Sequence, residues 1–346
     1  MSVQATLPPG SLILVTGASA YIGAPIVQQL LNRGYKVRGT VRDLSKSQWL
    51  LTDAFPKHAA DGTLELVILN DIGDQKQFQT AVKGVDGVIH VATPNSLDPN
   101  PYNVIPLAME FVVNLAKAAA AENSVRRFVF TSTIGAAVMP PARPGFHFDG
   151  SQWNEDGREI AWAPPPYTFE RGGAVYIQSK TEAERAFWKF ITEEKPNFTG
   201  NSVVGGTAFG PRIHEKQNPS TSAWIWALYN GDVTPTMFFD ASIFVDNRDV
   251  AVIHIAALLD PSIENARLPA WGTEFYWNDI LAILRKQSPE RELPADLDVP
   301  RIPRMTADTT QARKALKEWG GQDDFISLEK GVMDTLREMP LHGKQA

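Results

Sequence analysis

The nine residues Val15-Thr16-Gly17-Ala18-Ser19-Ala20-Tyr21-Ile22-Gly23 decide how this chain reads. They close a continuous apolar run, residues 12–16, with the length of a buried strand. They open a stretch of helical spacing, residues 21–33, in which Ile22, Ile26, Val27, Leu30 and Leu31 recur before Gly34. A strand that turns into a helix through glycine lets backbone N–H groups approach an anion, and the helix N-terminus adds a partial positive charge. The spacing of Gly17, Ala20 and Gly23 is that of a dinucleotide-binding turn with alanine in the middle position. The competing reading is an ordinary strand–helix turn. It loses ground because this motif follows the first strand of an alternating series.

The series continues outward. Residues 36–41, 64–69, 87–91 and 127–131 read as strands, and helical patterns fall around residues 46–51, 75–82 and 104–121. Strands alternating with helices imply right-handed parallel crossovers and a sheet covered on both faces. The expected class is therefore α/β: a Rossmann-type doubly wound parallel sheet. Residues 140–173 break the pattern with six prolines and read as a long functional connection. Residues 174–194 form a strong helix and 198–204 a sixth strand. After residue 205 the alternation loosens and aromatic residues accumulate (Trp224, Trp226, Tyr229, Phe238, Phe239, Phe244). The expected division is a nucleotide-binding domain, 1–204, and a smaller, partly discontinuous C-terminal substrate lobe, 205–346. Segments around 242–260 are expected to return to the first domain.

Composition narrows the classes. A chain of 346 residues fits one large or two modest domains, and 43% hydrophobic with 21% charged residues is ordinary for a packed protein. Thirty-three basic against thirty-nine acidic side chains give −6, which disfavours nucleic acid as a partner. The absence of cysteine excludes disulfides, thiolate catalysis and cysteine-ligated zinc. The six histidines are scattered without metal-ligand spacing, so no metal is expected. Residues 1–32 carry no charge, but lack the basic start of a signal peptide and are broken by proline, glycine and glutamine. The expected setting is cytoplasmic, with no membrane partner.

Three further patterns carry chemistry. The second strand ends Arg38-Gly39-Thr40-Val41-Arg42, where sites for NAD place an acid on the ribose 2′-OH. Guanidinium groups here, with Lys46 nearby, suit a 2′-phosphate and predict NADPH/NADP+. Asp43 is the contrary sign. Tyr176 and Lys180 stand four apart on one helix face. A nearby ammonium favours a phenolate, and lowering a phenol pKa by 3 units takes about 4 kcal/mol. Such a tyrosine can give a proton to a carbonyl oxygen as hydride reaches carbon. Phe130-Thr131-Ser132-Thr133 ends the fifth strand, where ligands of open parallel sheets sit and where a hydroxyl can steady developing charge.

Together these residues resemble the extended short-chain dehydrogenase/reductase family, within it the dihydroflavonol-reductase-like group and its fungal NADPH-dependent aldehyde and ketone reductases. The resemblance spans residues 11–336 and includes residues 35–42, 87–92, 126–132 and 244–251. It implies that Gly17, Ala20, Tyr21, Ile22 and Gly23 form the pyrophosphate turn. Arg42, Arg38 and Lys46 would meet the 2′-phosphate, Asp71 the adenine, and Ala92, Thr93 and Gly205 the nicotinamide ribose side. Thr133, with Ser132 beside it, would supply the catalytic hydroxyl. Tyr176 would be the general acid, while Lys180 would bind the ribose and lower the pKa of Tyr176. Asn114 would hold a relay water. The hydride would be the pro-S hydrogen of nicotinamide C4.

Three departures stand out: Ala20 for glycine, Thr133 for serine, and Val204-Gly205-Gly206-Thr207 where the group commonly has proline. The resemblance implies a small-molecule carbonyl substrate with an apolar or aryl group and a monomer or homodimer. Two alternatives stand beside it. One is a nucleotide-sugar epimerase or dehydratase, which needs a diphosphate clamp for which the second lobe offers Arg212 and Lys216. The other is a non-catalytic NADP(H) sensor, which has no need of Tyr176 and Lys180.

Overall fold

The computed structural model describes residues 4–94 and 96–338. Among the described residues twelve strands are formed: β1 Leu12–Thr16, β2 Lys36–Val41, β3 Leu64–Ile68, β4 Gly87–His90, β5 Arg127–Thr133 and β6 Phe146–Phe148, then β7 Thr199–Gly205, β8 Thr207–Phe209, β9 Ala241–Asp246, β10 Arg267–Ala270, β11 Thr273–Tyr276 and β12 Met305–Ala307. The helices are α1 Gly23–Asn32, α2 Leu44–Ser47, α3 Pro56–Ala60, α4 Gln75–Val82, α5 Pro101–Ala121 and α6 Asp156–Ala161. They continue with α7 Gly172–Glu194, α8 Ser222–Tyr229, α9 Asn247–Leu259, α10 Trp277–Gln287, α11 Thr310–Gly320 and α12 Leu328–Arg337.

The main sheet has seven parallel strands in the order β10-β7-β5-β4-β1-β2-β3. This is the Rossmann-type doubly wound sheet, with the chain reversing direction between β1 and β4. Parallel strands buried on both faces need continuous apolar runs, and β4 and most of β1 and β5 are fully buried. One face is covered by α1, α9 and α11, through Ile26, Val27, Leu30, Ile253 and Leu316. The other is covered by α4, α5 and α7, through Phe78, Phe111, Leu115, Phe187 and Phe190.

Sequence reading stops at six strands; the seventh, β10, joins β7 through the register Ala270↔Gly205. The expected helix around residues 46–51 is a single turn, α2, followed by a π-helical turn, Leu50–Ala54. Among the described residues one helix, α5, is long and apolar enough to cross a membrane; Val112, Leu115, Ala116 and Ala119 bury one side of it in the core shared with α7.

The chain after β7 builds a three-stranded sheet, β11-β9-β8, under α8, α10 and α12. The aromatics that the sequence offers as pocket walls mostly pack as core here. Phe244 is fully buried, Trp224 stacks on Phe238 and meets Phe239 and Trp277 edge-on, and Phe239 stacks on Trp277. Within the irregular connection, β6 pairs with β12 and α6 packs on α7.

Candidate active site

The turn between β1 and α1 is set by close approaches that only glycine permits. Gly17 has φ of +68°, and a methyl on Gly23 would stand 2.0 Å from the Gly17 carbonyl oxygen. Gly39 serves from the next strand, where a methyl would lie 2.6 Å from Ala18 Cβ. Two threonines that sequence reading passed over fix the rest. Thr40 Oγ1 accepts from the Gly17 N–H at 3.2 Å, and its carbonyl accepts from the Ala18 N–H. Thr16 Oγ1 accepts from the N–H groups of Val91 and Ala92 at 3.1 Å each, and bonds His90 Nδ1 at 2.8 Å. The end of β4, with Ala92 and Thr93, is thereby drawn beside the turn.

The first turn of α1 has no side-chain cap and no acidic residue. The Ala24 N–H donates to the Ala20 carbonyl and Pro25 has none, but among the described residues the N–H groups of Tyr21, Ile22 and Gly23 have no such partner, so a dinucleotide pyrophosphate fits this turn. Ala20 is exposed, and its added methyl meets no packing. Tyr21 and Ile22 contribute backbone only. The Tyr21 phenol is buried and joins the second lobe, donating to the Gly210 carbonyl at 2.8 Å and bonding Ser222 Oγ at 2.6 Å. Gln217 Nε2 adds a bond to the Ala20 carbonyl at 2.9 Å.

At the end of β2 the two arginines part company. Arg42 is exposed and its guanidinium has no hydrogen-bond or ion-pair partner among the described residues; Lys46 is exposed one turn on. Arg38 is the correction. Its Nε binds Glu65 at 2.6 Å, and its Nη1 donates to the carbonyls of Lys83 (2.6 Å) and Ala81 (3.1 Å), which end α4. It closes a helix C-terminus, and its guanidinium is committed there. The contrary sign at Asp43 also resolves, because its carboxylate caps α2 by accepting from Ser45 Oγ and the N–H groups of Ser45 and Lys46. Those bonds hold it below the usual carboxylate range. Asp71 is exposed after β3 and accepts from the Gly73 N–H. Asn114 binds this same loop, donating to the Ile72 carbonyl at 3.1 Å, and has no bond to Tyr176 or Lys180.

The carboxyl ends of β5 and β7 meet α7 further along the same edge. The chain after Thr93 runs against the start of α7, where a methyl on Gly172 would lie 2.3 Å from the Leu97 carbonyl oxygen. Lys180 is buried, lies over the Phe130 ring at 4.7 Å and donates to the Thr131 carbonyl at 2.8 Å. Burial pulls its pKa down to about 8, against the opposing charge of Glu184. Tyr176 is partly buried, and burial raises its phenol pKa. The Lys180 ammonium is held by the Thr131 carbonyl and, among the described residues, has no hydrogen bond to the Tyr176 phenol.

Ser132 Oγ donates to the buried carboxylate of Glu184 at 2.6 Å. Its hydroxyl is committed inside the protein, while Thr133, partly exposed at the strand end, has no side-chain hydrogen bond among the described residues. Of the two adjacent hydroxyls, Thr133 is the one left free. Gly205 stands opposite Thr133 across β5 and β7, and a methyl there would come no nearer than 3.8 Å to its neighbours. Glycine in place of the group's proline therefore leaves open space. Sequence reading missed Glu184, although it repeats the four-residue spacing of Tyr176 and Lys180. It could not find Arg267, which pairs with Glu184 from β10.

This fold and edge define a nucleotide-cofactor protein, and the chain belongs to the NAD dependent epimerase/dehydratase family, whose sequence pattern matches residues 13–266. It is 36% identical to the NAD-dependent epimerase/dehydratase terH of Aspergillus terreus, over 97% of this chain and 99% of that protein. It is also 36% identical to Aldehyde reductase 2 of Sporidiobolus salmonicolor, over 96% of each. Among solved structures it is similar to yeast methylglyoxal/isovaleraldehyde reductase Gre2 complexed with NADPH, with a TM-score of 0.79 at 24% identity, covering 94% of this chain and 97% of that one.

Proposed function

We propose that this chain is an NADPH-dependent carbonyl reductase that converts aldehydes or ketones to alcohols. The observation that carries the reading is the edge formed by Thr133, Tyr176 and Lys180. Lys180 reaches the Thr131 carbonyl at the carboxyl end of β5, Thr133 with its free hydroxyl ends that strand, and Tyr176 stands one turn before Lys180 on α7; the turn of Gly17 and exposed Arg42 follow β1 and β2 of the same parallel sheet. Relatives named as aldehyde reductase and ketoreductase, matched over most of their length, support it.

When bound along this edge, NADPH would supply the hydride that reaches the carbonyl carbon. Arg42 and Lys46 would hold the 2′-phosphate, and the backbone of residues 17–23 the pyrophosphate. Thr133 Oγ1 donates a hydrogen bond to the substrate oxygen and orients the carbonyl. Tyr176 is neutral near pH 7, since burial raises its pKa, and its Oη proton passes to the oxygen as the C–H bond forms. The phenolate left behind regains a proton from solvent. Lys180, one turn from Tyr176 on α7, would bind the nicotinamide ribose and set a positive charge near that phenolate.

The sugar-nucleotide reading is less favoured, because its two candidate clamp residues are engaged. Arg212 donates to the carbonyls of Glu215 and Glu338 and lies over Trp226, and Lys216 pairs with Asp53. The test is NADPH oxidation against a panel of aldehydes, α-dicarbonyls, β-ketoesters and aryl ketones, with NADH in parallel. Tyr176→Phe should lose about 10²–10⁴-fold in kcat with NADPH binding retained. Equal turnover by Tyr176→Phe and wild type overturns the assignment of the acid.

A further inference from the structure

Glu184 lies one helical turn beyond Lys180 on α7, and it is completely buried. Every face of its carboxylate is engaged. Ser132 Oγ from β5 and Ser202 Oγ from β7 donate at 2.6 Å each, Arg267 from β10 donates through Nε at 2.9 Å and Nη2 at 3.1 Å, and the Trp188 indole N–H lies at 3.4 Å. Arg267 reaches further, donating through Nη1 to the carbonyls of Gly150 and Gln152 at 2.8 Å and covering the Trp153 ring at 3.7 Å. One ion pair therefore fastens three strands, the catalytic helix and the irregular connection. Buried ion pairs are weak sources of stability compared with apolar packing, so this one calls for another role.

Resting on the reductase reading, we propose that Glu184 is a positioning residue for Lys180 and Thr133. Its carboxylate is the counter-charge that keeps the buried ammonium protonated, and its grip on Ser132 leaves Thr133 at the open edge. Successive strand side chains point to opposite faces, so anchoring Ser132 fixes where its neighbour points.

The charged surroundings of Lys180 single out Glu184. Its own helix offers the neutral phenol of Tyr176 on one side and Glu184 on the other. β4 presents His90, which burial and the Lys180 charge lower to about 3, and α9 presents His254 behind Thr131, lowered by burial to about 4. Both are neutral at working pH. α5 carries Glu110 and Lys117 exposed at its surface. On α6, Arg158 pairs with Glu182 and Asp156 with Arg143, and the Glu159 side is exposed. Arg171 is tied to the carbonyls of Ala163 and Pro164, and Glu170 is exposed beside it. Burial lowers the pKa of Lys180, and the charge of Glu184 opposes that shift. Burial would raise Glu184 itself, yet the charge and hydrogen bonds of Arg267 and the two serine hydroxyls keep it below the ordinary carboxylate range.

The test is an NMR titration of the full chain without cofactor, with lysines labelled with ¹³C at Cε and the Lys180 signal assigned by its loss in Lys180→Met. Glu184→Gln should lower the Lys180 midpoint by about one unit or more, and Glu184→Asp should restore most of it. In turnover, the alkaline limb of the kcat profile should move down with the same midpoint while NADPH binding holds. A folded Glu184→Gln with an unchanged Lys180 midpoint overturns the proposal. If the single variant does not fold, Glu184→Gln/Arg267→Gln is compared with Arg267→Gln alone, so that only the carboxylate differs, and an equal Lys180 midpoint in the two overturns the proposal equally. The titration needs no substrate, so failure of the chain to reduce carbonyls would break the reductase reading and leave this measurement intact.

Discussion

The nucleotide edge of the sheet and the lobe built after β7 handle their charges in opposite ways. At the edge, Arg42 and Lys46 are exposed without ion pairs among the described residues, and α1 opens without a side-chain cap. In the lobe, Arg248 is fixed between Asp246 (2.8 Å) and Asp334 (2.7 Å), Arg285 by Asp296 (2.6 Å), and Arg301 by Asp279 (2.5 Å). Arg291 donates to the Tyr229 carbonyl at 2.7 Å. The unsatisfied positive potential sits where a phosphorylated cofactor would lie. The lobe's cations hold the lobe together. An anionic ligand is therefore expected at the first region, and a substrate without phosphate groups at the second.

The largest effect expected of this contrast is at the hydroxyl pair ending β5. Thr133→Ala should lower kcat by about 10²–10³-fold, the usual cost of one donor to a developing oxyanion, with little change in melting temperature. Ser132→Ala should act chiefly on stability, because it strips a donor from buried Glu184 and costs about 1–3 kcal/mol, with a smaller loss in kcat through the loosened placement of Thr133. Steady-state kinetics and urea unfolding on both variants separate the two. Equal kinetic losses would mean that the two hydroxyls share one role.

That pair also marks how far the sequence could be read. The parallel sheet, the turn and the helix over residues 75–82 followed from periodicity and glycine spacing. The long helix α5 begins at Pro101, three residues before the expected start, because Asn100 caps the Tyr102 N–H and proline suits the first helical position. β10 was invisible as a four-residue segment containing Pro269, a residue that a sheet tolerates at its edge. Spacing cannot choose between Ser132 and Thr133; that depends on Glu184, fifty-two residues away. Nor can composition show that Asp43 is committed to a helix cap.

A smaller effect sharpens the contrast in charge. Arg42→Gln should weaken NADPH binding about 10–100-fold, as expected for losing charge-assisted bonds of about 1.5–3 kcal/mol. NADH binding should stay level. Arg212→Gln, made in the lobe, should leave the NADPH-to-NADH ratio of dissociation constants unchanged. Fluorescence titration of both cofactors checks each variant, and a matching loss in Arg212→Gln would erase the distinction between the regions.

Acid stability compares buried groups on the main sheet and on α9, the helix that covers it. His90 and His254 have native pKa values of about 3 and 4, both lowered by burial and below the ordinary value near 6.5. The unfolded chain binds their protons first, so stability falls as pH drops from about 6.5 toward 4, by up to about 1.4 kcal/mol per unit for each histidine. Asp249, which accepts from Gln322 and the Ile326 N–H, runs the other way. Burial raises it to about 6, so the native state takes up its proton first and gains stability over about pH 6 to 4. One histidine is offset and one is not. Urea midpoints measured from pH 7 to 4 should therefore decline, more steeply in Asp249→Asn and less steeply in His254→Gln.

The smallest kinetic effect belongs to Arg38, and it is the cleanest check on position against residue type. Arg38 and Arg42 share a strand face, but four residues of strand separate them by about 13 Å. Only Arg42 stands at the carboxyl edge. Arg38→Ala should leave both cofactor dissociation constants within about twofold of wild type, since the loss falls outside hydrogen-bond reach of the site. Its cost should appear in stability, about 1 kcal/mol in urea unfolding, because the carbonyls of Ala81 and Lys83 lose a cation at the end of α4. If Arg38→Ala instead weakened NADPH selectively, the 2′-phosphate would have to lie further along β2 than the open edge, and the freedom of Arg42 would lose its meaning.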